Sequence, residues 1–494
     1  MKQETVRPPS LFHSLIPVLF LIGMLAASVY LFGDSSSRGP TQIALILSAG
    51  IGIIIGIANG YTWKQLESGI VTGISLAMGA MLILLMVGSL IGSWILAGVV
   101  PSMIYYGLGI LNPTVFFAAA CVICCITSLA TGSSWTTAGT VGVALVGIAA
   151  AQGLHLGIAA GAIVSGAYFG DKMSPLSDTT NLAPAMAGTD LFTHIRHMAW
   201  TTTPSIVLAL IIFTVIGLRS AAPADTSSVE AIRQAIAAQF AVGPHLLIPL
   251  AIVLALVIGR MPALPALMIG ALVGCVFAVI FQRAAVLAYV GQPDANTGVA
   301  LVKGAWTSLF DGFKLESGNK ALDDLLSRGG MASMLPTVWL IIAAMMFGAV
   351  METTGMLQRI AASILSAVRG TGSLIGATLA TSFSMNVVAS DQYIAIVLPG
   401  RMFRAEFQRR RLHPKNLSRA LEDAGTMTSA LVPWNTCGAF MAQTLGVATF
   451  TYAPFAFFNL INPLISAAYG FTGFTIEKLE PSEEPLPVQP LPEV

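Results

Sequence analysis

Gly170-Asp171-Lys172-Met173-Ser174-Pro175-Leu176-Ser177-Asp178-Thr179-Thr180-Asn181 stands between two long apolar segments and carries three charges and a helix-breaking proline. At the centre of a membrane span, each Asp or Lys costs roughly 2.5–3.5 kcal/mol on insertion scales. Non-helical backbone is tolerated at that depth only where protein buries it or where it lines a watery cavity. The stretch therefore reads as a broken helix that binds or passes something polar.

The rest of the chain is its membrane frame. Of 494 residues, 55% are hydrophobic and 10% charged, with a mean hydropathy of +0.80. Soluble domains carry roughly 25% charged residues. Apolar runs near the ~20 residues that cross a bilayer recur throughout, which predicts an all-α polytopic membrane protein with about 12–14 transmembrane helices. Ser14–Gly33 is too long for a signal peptide and lacks a small-residue cleavage site, so it reads as a retained first helix. The net charge of +1 is uninformative about nucleic acid, but the sequence has no basic domain and no aromatic–basic interleaving, so no nucleic-acid partner is expected. Zinc signatures, a Walker loop and a nucleophile elbow are missing from the sequence, so neither an enzyme nor a cofactor is expected. Cys121, Cys124, Cys125, Cys275 and Cys437 lie in apolar or small-residue runs and read as inert thiols.

Domain organisation follows from the polar interruptions. Residues 1–218 form a first transmembrane repeat, 219–244 a polar connection with an amphipathic helix from Val229 to Phe240, and 245–474 a second repeat. A long polar loop is expected over 283–330, and the Pro/Glu-rich 475–494 reads as a disordered tail. The cationic cluster Arg401, Arg404, Arg409, Arg410, Arg411, Lys415 and Arg419 belongs in the cytoplasm by the positive-inside rule, and counting crossings from it places both termini there too.

The halves resemble one another. Thr127-Ser128 matches Thr381-Ser382 at an offset of 254, Gly98 matches Gly355 at 257 and Asp171 matches Asp423 at 252. Seven crossings per half would invert the second half, giving two inverted-topology repeats with discontinuous helices at the midplane. Four polar islands then converge. One holds Thr131, Ser133 and Ser134; the second holds Asp171, Ser174, Asp178, Thr179 and Asn181; the third holds Asp391; the fourth holds Asp423 and Asn435.

A carboxylate with unwound carbonyls and hydroxyls supplies hard oxygen ligands for Na⁺. Partly desolvated, the same carboxylate takes up a proton more readily, and mutual exclusion of the two ions suffices for antiport. Asp171 and Asp423 are the leading ligands for a transported Na⁺, with Asp391 next. Each has a second reading: Asp171 as a salt bridge to Lys172, Asp391 as a helix start, Asp423 as a helix end beside Glu422. Asp178 and Asp190 can equally be helix caps. Glu352 closes an apolar run and is either a proton entry or a solvated helix end. His13, His194, His197, His245 and His413 read as peripheral.

The 170–183 string closely resembles the hallmark of the NhaC-type Na⁺/H⁺ antiporter family. Thr131-Gly132-Ser133-Ser134-Trp135 and Phe347-Gly348…Glu352…Gly355 are similar to that family too, and the likeness spans roughly residues 10–470. It implies a bacterial inner-membrane, gradient-driven transporter whose partners are Na⁺ and H⁺ as cargo and the lipid bilayer. Family members divide between Na⁺/H⁺ exchange and ion-coupled exchange of malate/lactate or amino acids. The cargo thus stays open between a cation and a small organic solute, and a homo-oligomer is allowed.

Overall fold

The computed structural model describes residues 7–32, 39–220, 226–291, 296–318 and 320–479. Lys2 and the tail from 480 onward lie outside them. The described residues are helical apart from turns and one isolated β-bridge, Leu412 to Lys478. The first half runs α1 (Leu11–Phe32), α2 (Pro40–Ala58), α3 (Trp63–Leu76), α4 (Met78–Leu96), α5 (Val99–Ile110), α6 (Phe116–Thr131), α7 (Ser134–Thr137), α8 (Val143–Ala151), α9 (Leu156–Met173), α10 (Asp178–Ala187) and α11 (Leu191–Ser220). The middle supplies α12 (Thr226–Gln239), α13 (Ile248–Ile258), α14 (Ala263–Phe281), α15 (Arg283–Val290), α16 (Thr297–Phe310) and α17 (Lys320–Leu326). The last part contains α18 (Leu335–Thr353), α19 (Met356–Ser366), α20 (Thr371–Val388), α21 (Gln392–Arg409), α22 (Pro414–Leu421), α23 (Met427–Ser429), α24 (Thr436–Leu445), α25 (Thr449–Tyr452) and α26 (Phe457–Thr472).

Seven helical stretches are long and apolar enough to cross a membrane unaided, or eight if the pair Val229–Gln239 and Pro244–Ile258, bent by 87°, is one span. Several other apolar runs counted in the sequence are cut into shorter helices, such as α5 and α6, by capping residues and left-handed glycines. The region expected as a polar loop over 283–330 is largely helical. Asn296 caps α16 by accepting from the Gly298 amide at 2.9 Å, and Ala300, Leu301 and Gly304 of that helix are buried. The amphipathic helix expected at 229–240 is α12.

The halves interlock. α2 and α3 of the first half pack on α18, while α14 and α16 pack on α4. Small residues permit it: a Cβ on Gly73 would fall 2.5 Å from that of Ala349, and one on Gly274 would fall 2.9 Å from the Trp94 ring. In a membrane such close approach substitutes for the missing hydrophobic drive between helices.

Local structure recurs at a steady spacing. Left-handed Gly132 and Ser390 lie 258 positions apart, as do left-handed Gly188 and Gly446. The N-caps Ser133 and Asp391, His155 and His413, and Ser177 and Asn435 are also 258 apart. At that spacing the counterpart of Asp171 is Ser429; the 252 offset that aligned Asp171 with Asp423 is six residues short of the register shared by the caps.

Candidate functional site

α9 ends at Met173 because Ser174 is extended and Pro175 cannot continue the helix, and α10 restarts behind the cap Ser177. Asn181 holds the break shut, donating to the Pro175 carbonyl at 2.9 Å and the Ser177 carbonyl at 2.7 Å. Ser174 Oγ accepts from the Leu176 amide at 3.3 Å. The consequence is a buried helix C-terminus with Asp171 in its last turn, a placement that the helix dipole disfavours for an anion.

Hydroxyls compensate. Ser134 Oγ donates to Asp171 Oδ2 and Ser177 Oγ to Oδ1, both at 2.6 Å. Thr179 Oγ1 lies 3.2 Å from Ser177 Oγ, and Thr180 Oγ1 donates to the Asp171 carbonyl at 2.8 Å. Thr131 reaches Thr137 Oγ1 at 3.5 Å, and Ser133 caps α7 through the Thr136 amide at 3.1 Å. The first two islands of the sequence thus meet around one carboxylate that is 8% exposed. Trp135, stacked on Phe440 at 4.0 Å, joins this corner to α24.

Adjacent residues on a helix point about 100° apart, and Lys172 accordingly faces away from Asp171. It forms a fully buried ion pair with Asp423 and donates to Asn462 Oδ1 at 3.2 Å. Asp423 Oδ1 also accepts from Thr201 Oγ1 at 3.0 Å, and Arg419 Nε lies 4.0 Å from Oδ2. Glu422 is fully buried beside this pair with no hydrogen-bond partner on either oxygen. Both carboxylates sit on a π-turn, Glu422–Thr426, a distortion frequent at functional sites.

Asp391 starts α21, its Oδ1 accepting from the Tyr393 and Ile394 amides at 2.9 and 3.1 Å. Asn435 starts α24 and donates to Asn386 Oδ1 at 3.0 Å. Asp178 is exposed, 3.5 Å from the Tyr393 hydroxyl; the capping role at α10 belongs to Ser177. Asp190 does cap α11, accepting from the Thr193 amide at 2.9 Å. Glu352 lies exposed in the last turn of α18. His194 and His197 are buried rather than peripheral, and His194 Nδ1 is 2.8 Å from Ser418 Oγ.

Residues 166–474 match the profile of the Na⁺/H⁺ antiporter family. The chain belongs to that family. It is similar to the Na(+)/H(+) antiporter NhaC of Alkalihalophilus pseudofirmus, 39% identical over 89% of this chain and 91% of that one. It is similar also to the malate-2H(+)/Na(+)-lactate antiporter of Bacillus subtilis, at 37% over 95% and 96%. The arginine/ornithine antiporter ArcD of Halobacterium salinarum is 35% identical over 97% and 95%. This antiporter is a multi-pass membrane transporter, not an enzyme.

Thr201 and Asn462 escape a sequence reading of the antiporter, and Asn386 and Gln392 enter it only as the bounds of the third polar island. Each is an uncharged polar residue in an apolar helix, a signal present in the sequence but shared by ordinary helix-packing residues.

Proposed function

We propose that the protein exchanges Na⁺ (or Li⁺) for H⁺ across the bacterial inner membrane, with Asp171 holding one ion at a time. The observation that carries this reading is the setting of Asp171: its oxygens meet hydroxyls, while the adjacent Lys172 is committed to Asp423. A buried carboxylate without a counter-cation must bind a proton or a metal cation. Hydroxyls suit both states, since they donate to the bare carboxylate and turn their lone pairs to a cation. In this reading Asp423 balances Lys172, and the α9 C-terminus offers carbonyl ligands of the kind used for Na⁺ in discontinuous helices.

Both termini belong on the cytoplasmic side with the Arg409–Lys415 cluster. Support, for the C-terminal side, comes from residues 477–479: the Leu479 amide donates to the Arg411 carbonyl at 2.8 Å, and Glu477 pairs with Lys415.

A second reading, ion-coupled exchange of a small organic acid or amino acid, is favoured by one feature. Arg419 is 1% exposed, yet its Nε and Nη2 have no hydrogen-bond partner, which suits a carboxylate.

Purified protein in liposomes with an internal pH dye and an imposed gradient separates the two. Na⁺ or Li⁺ alone should dissipate the gradient, and Asp171→Asn should abolish the response while the protein stays folded. Response only to malate, lactate or an amino acid would establish the second reading instead.

A further inference from the structure

The Asp171 site has a counterpart in the other half. At the 258-residue spacing, Ser133 corresponds to Asp391, Ser134 to Gln392 and Asp171 to Ser429. The contact recurs with its polarity exchanged. In the first half the Ser134 hydroxyl donates to Asp171 at 2.6 Å; in the second the Ser429 hydroxyl donates to Gln392 Oε1 at 3.2 Å. The carboxylate has moved as well. It sits on the helix end in the first half, as Asp171, and on the cap in the second, as Asp391.

We infer that Asp391, Gln392 and Ser429 form a second monovalent-cation site, related to the Asp171 site by the repeat. The inference rests on the reading of Asp171 as a cation ligand. Its donors are a carboxylate, an amide oxygen and hydroxyls, a hard set that suits an alkali cation over a soft metal. Asp391 is 7% exposed, and both of its cap bonds fall on Oδ1. Ser390, in the left-handed residue of the break, has a fully buried hydroxyl without a hydrogen-bond partner. A cation arriving there would take Gln392 Oε1 from its present donors, Ser429 and the Cys437 thiol at 2.7 Å.

The sites are joined. Tyr168, one turn before Asp171 on α9, brings its hydroxyl to 3.4 Å from Ser429 Oγ, and the Thr436 amide ties α24 to the Ser390 carbonyl at 3.0 Å. Through α9 the backbone that carries Asp171 thus also carries a side chain reaching Ser429.

Equilibrium binding of radiolabelled Na⁺ to the purified full chain tests this. The unaltered protein should bind two ions per chain, and Asp391→Asn, which preserves the cap, should bind one. Gln392→Leu should also bind one, and Asp171→Asn should retain one ion that competes with Li⁺. Each variant is checked for an unchanged elution volume and unfolding temperature. One ion per chain in the unaltered protein, or two in both second-half variants, would overturn the inference while leaving Asp171 in place. Undiminished binding by Asp171→Asn, with one ion lost on Asp391→Asn, would overturn the reading of Asp171 instead.

Discussion

Lys172 and Asp423 are both fully shielded from solvent, so each is tolerable only because of the other. Removing one partner of such a pair strands a charge, at a cost of about 3–5 kcal/mol, whereas replacing both by apolar residues is often neutral. Lys172→Met should therefore lower the unfolding temperature in detergent strongly, and Lys172→Met with Asp423→Leu should recover most of it. Equal damage in single and double variants would mean that the two charges act independently. Glu352 permits a separate test. Exposed at the end of α18, it should, as a proton entry, shift the pH profile of exchange when changed to Gln, with little effect on the maximal rate. An unchanged profile would leave it a solvated helix end. That Asp171 and Lys172 are costly charges needing a partner was legible in the sequence from their cost in hydrocarbon. That their islands meet was legible too, but not which partner each charge takes, because Ser134 lies 37 residues from Asp171 and Asp423 lies 251 residues from Lys172.

Among helix pairs, α6 and α9 show what a small-residue seam does. A Cβ on Gly170 would come 2.2 Å from the Leu129 amide nitrogen, and one on Gly166 would come 2.2 Å from the Cys121 carbonyl oxygen. Both neighbours are backbone and cannot swing aside. Gly170→Ala should push the helices apart, disturb the Asp171 hydroxyl shell and cost about 1–3 kcal/mol, read as a lower unfolding temperature with weakened exchange. Wild-type values for both would show that the seam yields freely. At the polar end of α21, the hydrogen bond from Arg409, followed by that from Arg410, holds Glu406 down at about 2. Its folded pKa lies below the ordinary ~4.3. The pairs' contribution is therefore complete above that pH and lost as pH falls toward 2. Between about pH 6 and 9, Glu406→Gln should lower stability by a constant amount under ~1 kcal/mol. The pH profile of exchange should stay put; a displaced profile would tie Glu406 to proton movement. Glycine seams and caps are readable as small-residue spacing, but which helix each seam receives is not.

At the scale of the whole molecule, the reciprocal packing of α2 and α3 on α18, and of α14 and α16 on α4, makes the halves mutually dependent. Cut between α11 and α12, the two fragments should co-purify and exchange ions when expressed together. Either alone should fail to fold, because α4 or α18 would lack its cover. A half that folds and stays monodisperse by itself would contradict that dependence. The sequence by itself determined the membrane class, the helical frame, the break at 174–177 and the charge at 171, because hydropathy, proline geometry and desolvation act residue by residue. Only the tertiary structure decided that Lys172 neutralises Asp423 rather than Asp171, that left-handed residues and caps recur at a spacing of 258, and that the 283–330 region is largely helical. Those outcomes depend on which surfaces meet across hundreds of residues, and packing complementarity of that range leaves no local signature in the chain.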